Sequence, residues 1–486
     1  MNKEEVAIVW FKRDLRLTDH LPLHQALALG QKVILLYCFE PKLINDPHYD
    51  LRHWRFVWQS LKDMNNALEP HGLKLTIIYA EFTDVLPYLV ERYHITHLFS
   101  HEETGLKITY DTDSWVCEYC KTEGISWSES PYNGVQRRLN NRKNWVKNWH
   151  NYMRQPMVKV PLDNLSGITP DLSDGTIRVE IPNAFQSANP NFQPGGRSMG
   201  LRYLNSFLSE RVKDYSRFIS KPGESRKSCS RLSPYLAWGN LSLREVYQAR
   251  LKARDMIGYK RPSAAFASRL QWHDHFVQKF ESEERYEFEN INRGYNALER
   301  TNNKQYLEAW QQGKTGVPLV DACMRCLHAT GYINFRMRAM LVSFLTHHLW
   351  QDWKKGAVYL ASQFLDFEPG IHYTQFQMQA GTTGLNTLRI YNPIKQGKDH
   401  DPQGIFINKW VPELATVPDK YIHEPWLIPP IEAQILGFNL NDLQPIIDVS
   451  KAAEYARKKL WAHKKHPEVR SEGQRILKRH VIPRKG

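Results

Sequence analysis

The sequence predicts two unlike domains: an N-terminal Rossmann-like parallel α/β domain and a C-terminal all-helical domain, joined by a long linker. Strand-like and helix-like patterns alternate up to about residue 130, as in a parallel sheet with crossover helices. A stretch rich in proline, glycine, asparagine and serine follows, and amphipathic helix patterns fill the rest of the chain. With 486 residues the chain also exceeds one ordinary hydrophobic core.

The first domain is predicted over residues 1–131. Helical patterns such as residues 54–68 separate its strands, and no Gly-x-Gly-x-x-Gly or Walker loop is present, so the architecture carries no dinucleotide fingerprint. The strands are indicated by short apolar runs rich in β-branched residues, at residues 6–11, 32–39, 73–79 and 97–103.

The linker is predicted over residues 132–200, which show no sustained periodicity and suit a surface connection. Residues 201–486 are predicted to form the helical domain. Near the end, Lys451 to Gly486 holds twelve lysines and arginines against three glutamates, which is typical of a solvated or nucleic-acid-facing segment.

Charge and composition restrict the class of protein. The formal net charge is +14, because 65 lysines and arginines exceed 51 acids. This surplus favours a polyanionic partner such as DNA or RNA, with simple solubility as the alternative. No apolar run approaches the length of a membrane span, and the N-terminus lacks a signal-peptide layout. We therefore expect a cytoplasmic protein with no membrane contact, and we expect a monomer.

Two cysteine pairs have a spacing that zinc sites also use, Cys117 with Cys120 and Cys323 with Cys326. The pairs fall in different predicted domains, and each lies in a helical pattern. We therefore expect reduced thiols without a ligand, and we expect no metal.

The stretch from Ser362 to Leu414 mixes polar side chains with aromatic ones. It includes Asp366, Glu368, His372 and Arg389. Polar groups buried without partners are costly, so a plain core segment would avoid this mixture. The mixture indicates a site that holds a large, flat ligand with polar edges.

Two further motifs carry charge or hydroxyl groups. In Val9–His20 (VWFKRDLRLTDH) the simplest interpretation is a solvated loop in which Asp14 pairs with a nearby arginine. In Ser225–Tyr247, serine hydroxyls surround Arg231 and could bind a phosphate, with a helix N-cap cluster as the alternative. Those hydroxyls belong to Ser228, Ser230 and Ser233.

Together with Ala309–Leu345, these motifs resemble those of the photolyase/cryptochrome family in both domains, in the same order and spacing. The resemblance implies an α/β antenna domain and a helical domain that binds FAD. It also implies that blue light drives an electron from the flavin to a pyrimidine photoproduct flipped out of DNA, which then returns it. The expected enzyme is a deoxyribodipyrimidine photolyase, a carbon–carbon lyase. A cryptochrome-type photoreceptor without repair, and a basic nucleic-acid-binding protein with a vestigial flavin pocket, are the alternatives.

The resemblance assigns a set of FAD contacts. Within it Arg338 is expected to pair with Asp366, and Glu368 replaces a commoner aspartate. His372 aligns with the residue that faces flavin N5, where a histidine could control protonation; a histidine satisfied by the backbone is the alternative. The full set is Tyr215, Cys229, Ser230, Arg231, Leu232, Ser233, Phe335, Arg338, Asp366, Glu368 and His372.

On the DNA side the resemblance assigns Trp272 to stack on the lesion and Arg336 to face the DNA. Arg269 stands where dimer photolyases usually have glutamate, and Phe335 where they commonly have asparagine. These departures leave open which lesion is repaired, and whether in single- or double-stranded DNA.

The family's electron relay usually contains three tryptophans. Only Trp353 matches, because Phe376 and Arg300 occupy the other two places. We hypothesise a substitute relay made of Trp350, Tyr373 and Tyr391.

The antenna pigment is not assigned by the sequence. Gly105 and Leu106 stand where folate-binding members have asparagine and glutamate, so folate is disfavoured. A deazaflavin, a second flavin or no pigment are the choices left open.

Overall fold

The structure is a computed structural model and describes residues 4–253, 260–385 and 387–481. Its N-terminal part contains a five-stranded parallel sheet with the order β3-β2-β1-β4-β5. The chain starts in the middle and winds first to one edge and then to the other, as in doubly wound folds. The strands are Glu5–Phe11 (β1), Lys32–Cys38 (β2), Leu75–Ile78 (β3), His94–His101 (β4) and Ser126–Ser130 (β5).

Helices cover both faces of this sheet, so β1 and β2 are buried beyond their first residues and read as continuous apolar runs. The predicted α/β architecture is confirmed. The helices are Leu21–Ala28 (α1), Pro41–Ile44 (α2), Leu51–Leu68 (α3), Phe82–Arg92 (α4) and Lys107–Glu123 (α5).

The connecting segment contains two helices, Trp145–Arg154 (α6) and Asn183–Gln186 (α7). The first departs from the expected unpatterned connection. The indole Nε1 of Trp149 donates to Asp274 Oδ2 at 2.8 Å, and that of Trp145 donates to Gln278 Oε1 at 3.2 Å. Two buried tryptophans therefore bind this part of the connecting segment to the helical domain through hydrogen bonds.

The remainder is helical, as predicted. Short 3₁₀ segments separate several helices, and a π-helical segment, Phe344–His348, continues α16. The helices are Arg197–Ser209 (α8), Tyr215–Phe218 (α9), Ser225–Ser228 (α10), Ser233–Ala237 (α11), Leu243–Ala253 (α12), Lys260–Ser282 (α13), Lys304–Gln312 (α14), Pro318–Thr330 (α15), Phe335–Ser343 (α16), Trp353–Gln363 (α17), Pro369–Ala380 (α18), Pro393–His400 (α19), Ile405–Trp410 (α20), Pro430–Ile435 (α21), Val449–His463 (α22) and Pro467–His480 (α23).

Helix α18 is the element that positions the polar stretch found in the sequence. It begins at Pro369 and ends before Gly381, whose φ of 77° is the left-handed cap that glycine favours. At Gly370 it approaches α13 so closely that a Cβ would lie 2.6 Å from the Cα of Val277. The glycine therefore allows α13 and α18 to pack side by side. Among the helices in the three described ranges, none has the length and hydropathy that a bilayer-spanning segment requires.

Candidate functional site

Asp366 lies just before α18 and forms the ion pair expected from the sequence. Arg338 Nη2 donates to its Oδ2 at 2.9 Å, and Arg338 Nε donates to the carbonyl of Ile333 at 3.0 Å. Burial raises the pKa of Asp366, but Arg338, Ser233 and a backbone hydrogen bond together lower it more, and the pKa ends below its ordinary value. Its other oxygen, Oδ1, is buried and has no hydrogen-bond partner among the described residues. Asp366 is therefore an ionised acceptor with one free oxygen.

Glu368 pairs with an arginine from the other domain. Its Oε2 lies 3.4 Å from Nη2 of Arg13, which follows strand β1 and also donates to the carbonyl of Phe367 at 2.5 Å. Burial raises the pKa of Glu368, and Arg13 offsets only part of that shift. The two acids of this segment thus face different partners, one on α16 and one on the α/β domain.

Three arginines surround the buried ring of Tyr332, and we call them with that ring the arginine cluster. The guanidinium carbons of Arg231, Arg338 and Arg226 lie 3.8, 5.6 and 5.8 Å from the ring centroid. Within the described ranges, neither Arg226 nor Arg231 forms an ion pair; Arg231 Nη2 donates instead to Gln193 Oε1 at 2.6 Å. The cluster therefore holds more positive than negative charge, which suits a diphosphate.

The serine motif around Arg231 leaves donors open beside this cluster. Ser228 Oγ and Arg231 Nε are buried and have no hydrogen-bond partner in the part of the chain that the structure describes. Ser230 Oγ accepts from the Leu232 N–H at 3.4 Å, and Cys229 is buried. Helix α11 has only five residues, so the open donors here are side chains rather than a long helix N-terminus.

The remaining predicted FAD contacts lie around these groups or at the surface. Ser233 Oγ interacts with Asp366 and lowers the pKa of that carboxyl group. Tyr215 is buried between Phe207 and Phe266, with ring centroids 5.6 and 5.9 Å away. Phe335, the first residue of α16, is instead 49% exposed.

His372 lies on α18 with one ring nitrogen bound to the backbone. Its Nε2 donates to the carbonyl of Ala357 at 2.8 Å, and burial lowers its pKa to about 3. The imidazole is therefore neutral at physiological pH, and Nδ1 carries a lone pair without a hydrogen bond in the described structure. The backbone alternative thus holds for one nitrogen, while the other can only accept.

Two of the residues assigned to the DNA side share one turn of α13. Trp272 is 45% exposed, and the guanidinium of the exposed Arg269 lies 5.2 Å from its ring centroid. Arg336 is half-buried and donates to Gln396 Oε1 at 3.3 Å, while its Nε has no hydrogen-bond partner among the described residues. Trp272 and Arg269 stand at the surface, as a contact with a macromolecule requires.

Trp353 is buried next to a tyrosine and a phenylalanine. Its ring centroid lies 6.1 Å from that of Tyr373 and 6.4 Å from that of Phe376. The hydroxyl of Tyr373 donates to His48 Nε2 at 2.5 Å, and His48 Nδ1 donates to Asp46 at 2.6 Å. Tyr373 therefore has a proton acceptor within a hydrogen bond, which an oxidisable tyrosine needs.

The other two members of the hypothesised relay, Trp350 and Tyr391, lie elsewhere in the helical domain. Trp350 belongs to a separate apolar cluster, where it packs on Arg300 at 4.1 Å and on Tyr455 at 5.4 Å. Tyr391 lines a groove on the surface. Tyr373 thus adjoins Trp353, and the Trp350–Tyr373–Tyr391 relay stays a prediction.

Asp14 pairs with histidines and not, as the sequence suggested, with an arginine; we call Asp14, His20 and His101 the histidine–aspartate cluster. His20 Nε2 and His101 Nδ1 donate to Asp14 Oδ2 at 2.8 and 2.6 Å, and the Lys12 N–H donates to Oδ1 at 2.7 Å. Arg16 donates to backbone carbonyls instead. These atoms are close enough to share an ion, but both nitrogens already lie at hydrogen-bond distance from one oxygen.

A small cleft of about 40 Å³ lies in the α/β domain beside Trp238 of the helical domain. Lys12 crosses it to Asp113 at 2.9 Å. The N–H of Gly105 donates back to Glu103 Oε1 at 2.6 Å, and Leu106 is fully buried. A flat pigment would require these side chains to move.

Comparison with known proteins agrees with this geometry in both domains. A family described as the FAD binding domain of DNA photolyase matches residues 266–462, and one described as DNA photolyase matches residues 7–135. The chain belongs to the photolyase/cryptochrome family. It therefore contains the family's FAD-binding domain.

Some similar proteins are named photolyases and others are named cryptochromes. A deoxyribodipyrimidine photo-lyase of Vibrio cholerae is 29% identical, over 90% of this chain and 96% of its own. A cryptochrome DASH of Gloeobacter violaceus is 27% identical, over 94% and 97%. The crystal structure of a Synechocystis cryptochrome superposes with a TM-score of 0.85 at 25% identity, covering 94% of this chain and 99% of that one. These relatives do not distinguish repair from photoreception.

The residues present fit the family's flavin. The free Asp366 Oδ1, Ser228 Oγ and Arg231 Nε are buried groups that a ligand with N–H and phosphate groups would satisfy. Several members of this constellation were missing from the sequence prediction. Tyr332, Arg226 and Arg13 each lie inside a motif singled out above, whereas Gln193 lies in the linker and carried no signal.

Proposed function

We propose that this protein is a light-driven, FAD-dependent photolyase that repairs pyrimidine dimers in DNA. The observation that carries the proposal is Trp272, whose half-exposed ring lies under Arg269 on the helix that packs against α18. An exposed aromatic face can stack on an extruded base while an arginine holds its phosphate. Bound FAD supplies the electron that blue light drives onto the photoproduct.

The other groups hold and orient the flavin in this proposal. Arg226, Arg231 and Ser228 offer donors to the diphosphate, and the free oxygen of Asp366 accepts from an N–H of the ring system. The neutral His372 can accept at Nδ1 but cannot donate there. The remaining pocket residues are assigned to line the flavin: Tyr215, Cys229, Ser230, Leu232, Ser233, Phe335, Arg338 and Glu368.

In the proposed enzyme the three segments of the chain have separate tasks. Residues 1–131 form the antenna domain, residues 132–200 connect the domains, and residues 201–486 form the catalytic domain. The contact of Arg13 with Glu368 gives the first domain a part in positioning the flavin edge.

A cryptochrome-type photoreceptor without repair is the second candidate. It is favoured by two exposed side chains, Arg269 and Phe335. The family resemblance places a glutamate and an asparagine there in dimer photolyases. A guanidinium cannot accept a proton from the lesion or its products.

Repair of defined oligonucleotides separates the two candidates. Single- and double-stranded oligonucleotides with one cyclobutane dimer are incubated with the flavin-reduced protein under blue light, with a dark control. We expect light-dependent loss of the dimer by the wild type. We expect a roughly 5- to 150-fold slower loss by Trp272→Ala, because base stacking on an aromatic ring is worth roughly 1–3 kcal/mol.

Trp115→Ala is the matched control, since Trp115 is an exposed tryptophan of the α/β domain. It should repair at the wild-type rate. Absence of repair by a wild type that retains reduced flavin would instead assign the protein to the photoreceptors.

A further inference from the structure

Arg142, in the connecting segment, is a buried cation whose terminal nitrogens are unused. The residue is 1% exposed, and neither Nη1 nor Nη2 has a hydrogen-bond partner among the described residues. Its guanidinium carbon lies 5.4 Å from the ring centroid of Trp145, the first residue of α6. Burial lowers the pKa of Arg142 to about 10, so the group is still charged at neutral pH. A buried charge with unused donors is costly unless a ligand supplies the missing acceptors.

Two basic side chains of α13 lie beside this guanidinium. His275 and Lys279 are four residues apart and therefore share one face of the helix. The His275 ring lies 5.7 Å from the Trp145 ring, on which Arg142 also packs, and Lys279 Nζ lies 5.9 Å from the Phe276 ring. Burial lowers the pKa of His275 and of Lys279, and the charge of Arg142 adds to both shifts. We call Arg142, His275 and Lys279 the Arg142 cluster.

The two acids at the C-terminal end of α13 do not neutralise the Arg142 cluster. The oxygens of Glu281 accept from the Arg138 N–H at 2.8 Å and from Gln278 Nε2 at 3.0 Å. Glu283 forms ion pairs of 2.7 and 2.8 Å with two other arginines. Within the described ranges, no carboxylate lies within ion-pair distance of any member of the cluster. The cluster therefore carries a surplus of positive charge.

The end of α23 reaches the same region and brings further unsatisfied nitrogens. Arg479 Nη2 donates to a carbonyl at the end of α13 at 2.7 Å, while its Nε is buried and forms no hydrogen bond with a described residue. His480 Nε2 donates to Glu283 Oε1 at 2.5 Å, and its buried Nδ1 is likewise unsatisfied. Burial lowers the pKa of His480, and the charges of Arg142 and Lys279 add to that shift. Three segments that are distant in sequence thus meet around basic groups.

We infer that the Arg142 cluster binds a small tetrahedral oxyanion of the class of inorganic phosphate and sulfate. Nη1 and Nη2 of Arg142 form the planar pair of donors that matches two oxygens of such an anion, and Lys279 supplies a third donor. Because Arg142 is almost completely buried, a free oxyanion suits this position better than a phosphate attached to a nucleotide or a DNA strand. The bound anion would connect the connecting segment to the ends of α13 and α23.

Isothermal titration calorimetry tests the inference, with inorganic phosphate or sulfate added to the full-length, FAD-loaded protein at pH 7 and constant ionic strength. Bound FAD fills its own diphosphate site, so the titration reports on other anion sites. We expect Arg142→Met to weaken phosphate binding about 10- to 100-fold, because hydrogen bonds between charged groups are lost. Lys279→Gln should weaken it about 3- to 10-fold. Lys143→Met is the matched control, since Lys143 is the exposed neighbour of Arg142, and its affinity should equal that of the wild type.

Urea unfolding of the same proteins gives a second measurement. In phosphate-free buffer Arg142→Met should unfold at the same urea concentration as the wild type or at a higher one, because it removes a buried cation without a partner. With about 10 mM phosphate the midpoint of the wild type should rise and that of Arg142→Met should rise less, since only the wild type gains a bound ligand. Phosphate also stabilises proteins by exclusion from their surface, so the difference between the two proteins is the measure. If Arg142→Met does not fold, Lys279→Gln carries the test.

Equal phosphate affinities in the wild type, Arg142→Met and Lys279→Gln would overturn the inference, as would the absence of any binding to the wild type. Adenosine 5′-monophosphate and a 5′-phosphorylated oligothymidylate identify the source of the phosphate. Tighter binding of either compound than of free phosphate, lost in Arg142→Met, would assign the cluster to nucleotide phosphates and would also overturn the inference. Because no light and no damaged DNA are used, the outcome is independent of whether the protein repairs dimers.

Discussion

Two buried polar regions, the arginine cluster and the histidine–aspartate cluster, differ in how completely their groups are paired. In the histidine–aspartate cluster both oxygens of Asp14 accept hydrogen bonds, and the imidazoles that flank it are neutral. In the arginine cluster, as far as the described residues show, Arg231 has no carboxylate partner, and three buried polar atoms there, its own Nε included, lack hydrogen bonds. Burial of polar groups is common to both regions, so it does not identify a binding site. The three unsatisfied groups are what set the arginine cluster apart from the histidine–aspartate cluster.

The same contrast separates two arginines near these clusters. Arg244 forms a bidentate ion pair with Asp19 inside the protein. Asp19 also accepts a hydrogen bond from Ser242 Oγ at 2.6 Å. Arg231 donates to a neutral amide and keeps one donor free. We therefore expect Arg244 to act on folding and Arg231 to act on ligand binding.

Replacing Arg244 should have the largest effect on stability. Arg244→Met leaves Asp19 buried with its hydrogen bonds but without a positive partner, and breaking a buried pair in this way costs about 3 kcal/mol or more. Urea unfolding of the apo-protein at pH 7 measures the loss. The FAD dissociation constant, measured on the folded variant, should stay within about twofold; a large rise would place Arg244 in the binding site.

Replacing Arg231 should reverse this pattern. Arg231→Met removes a buried cation without a carboxylate partner, so the apo-protein should keep its stability or gain some. Loss of a charge-assisted contact with phosphate should weaken FAD binding about 10- to 100-fold. Methionine, like arginine, is unbranched at Cβ, so the positive φ of 58° is no worse for it. Retained FAD affinity would remove Arg231 from the proposed diphosphate site.

The histidine–aspartate cluster should make the free energy of unfolding depend on pH. Burial lowers the pKa of His101 to about 4, against an ordinary value near 6.5. Between these values the unfolded chain binds a proton that the folded chain does not, so stability is present above pH 6.5 and is lost as the pH falls towards 4. The loss is about 1.4 kcal/mol per pH unit.

His101→Asn removes this titration. Its stability deficit relative to wild type should therefore shrink by about 1 kcal/mol between pH 7 and pH 5.5, as measured by urea unfolding at each pH. Parallel pH profiles for the two proteins would show that His101 is not held neutral by the fold.

The α/β domain and most helices could be predicted from local patterns. Strands β1 and β2 are continuous buried apolar runs, and α18 begins at a proline and ends before a glycine. Helix α6 was missed although its buried residues Trp145, Trp149 and Met153 recur every four positions, as in an amphipathic helix. Its packing partner α13 could not be predicted, because it lies far along the chain.

The site was predictable as a set of residues but less so as a set of contacts. The Arg338–Asp366 pair follows from the motifs. The contact of Arg13 with Glu368, and the gathering of three arginines around Tyr332, arise only when distant segments meet. Cluster membership could not be predicted for the same reason: Trp350 and Trp353 are neighbours in sequence but belong to different apolar clusters.

The smallest expected effect concerns His372, which shares features of both clusters. Its Nε2 donates a hydrogen bond to the carbonyl of Ala357, so it is paired like the groups of the histidine–aspartate cluster. Its Nδ1 has no hydrogen bond among the described residues, like the unsatisfied groups of the arginine cluster. His372→Asn should cost roughly 1 kcal/mol of stability, from one lost hydrogen bond. It should also change the absorption spectrum of the photoreduced flavin, because an amide can donate where neutral Nδ1 can only accept.

Spectra recorded under blue light with an external reductant at pH 7 test this, with His71→Asn in the α/β domain as the control. A change in His372→Asn alone would assign the open nitrogen to the flavin. Unaltered spectra together with the stability loss would mean that the backbone contact is the whole role of His372. His372 would then resemble the fully hydrogen-bonded residues of the histidine–aspartate cluster. Asp366 Oδ1 would be the one free acceptor, among the described residues, that the proposal assigns to the flavin ring.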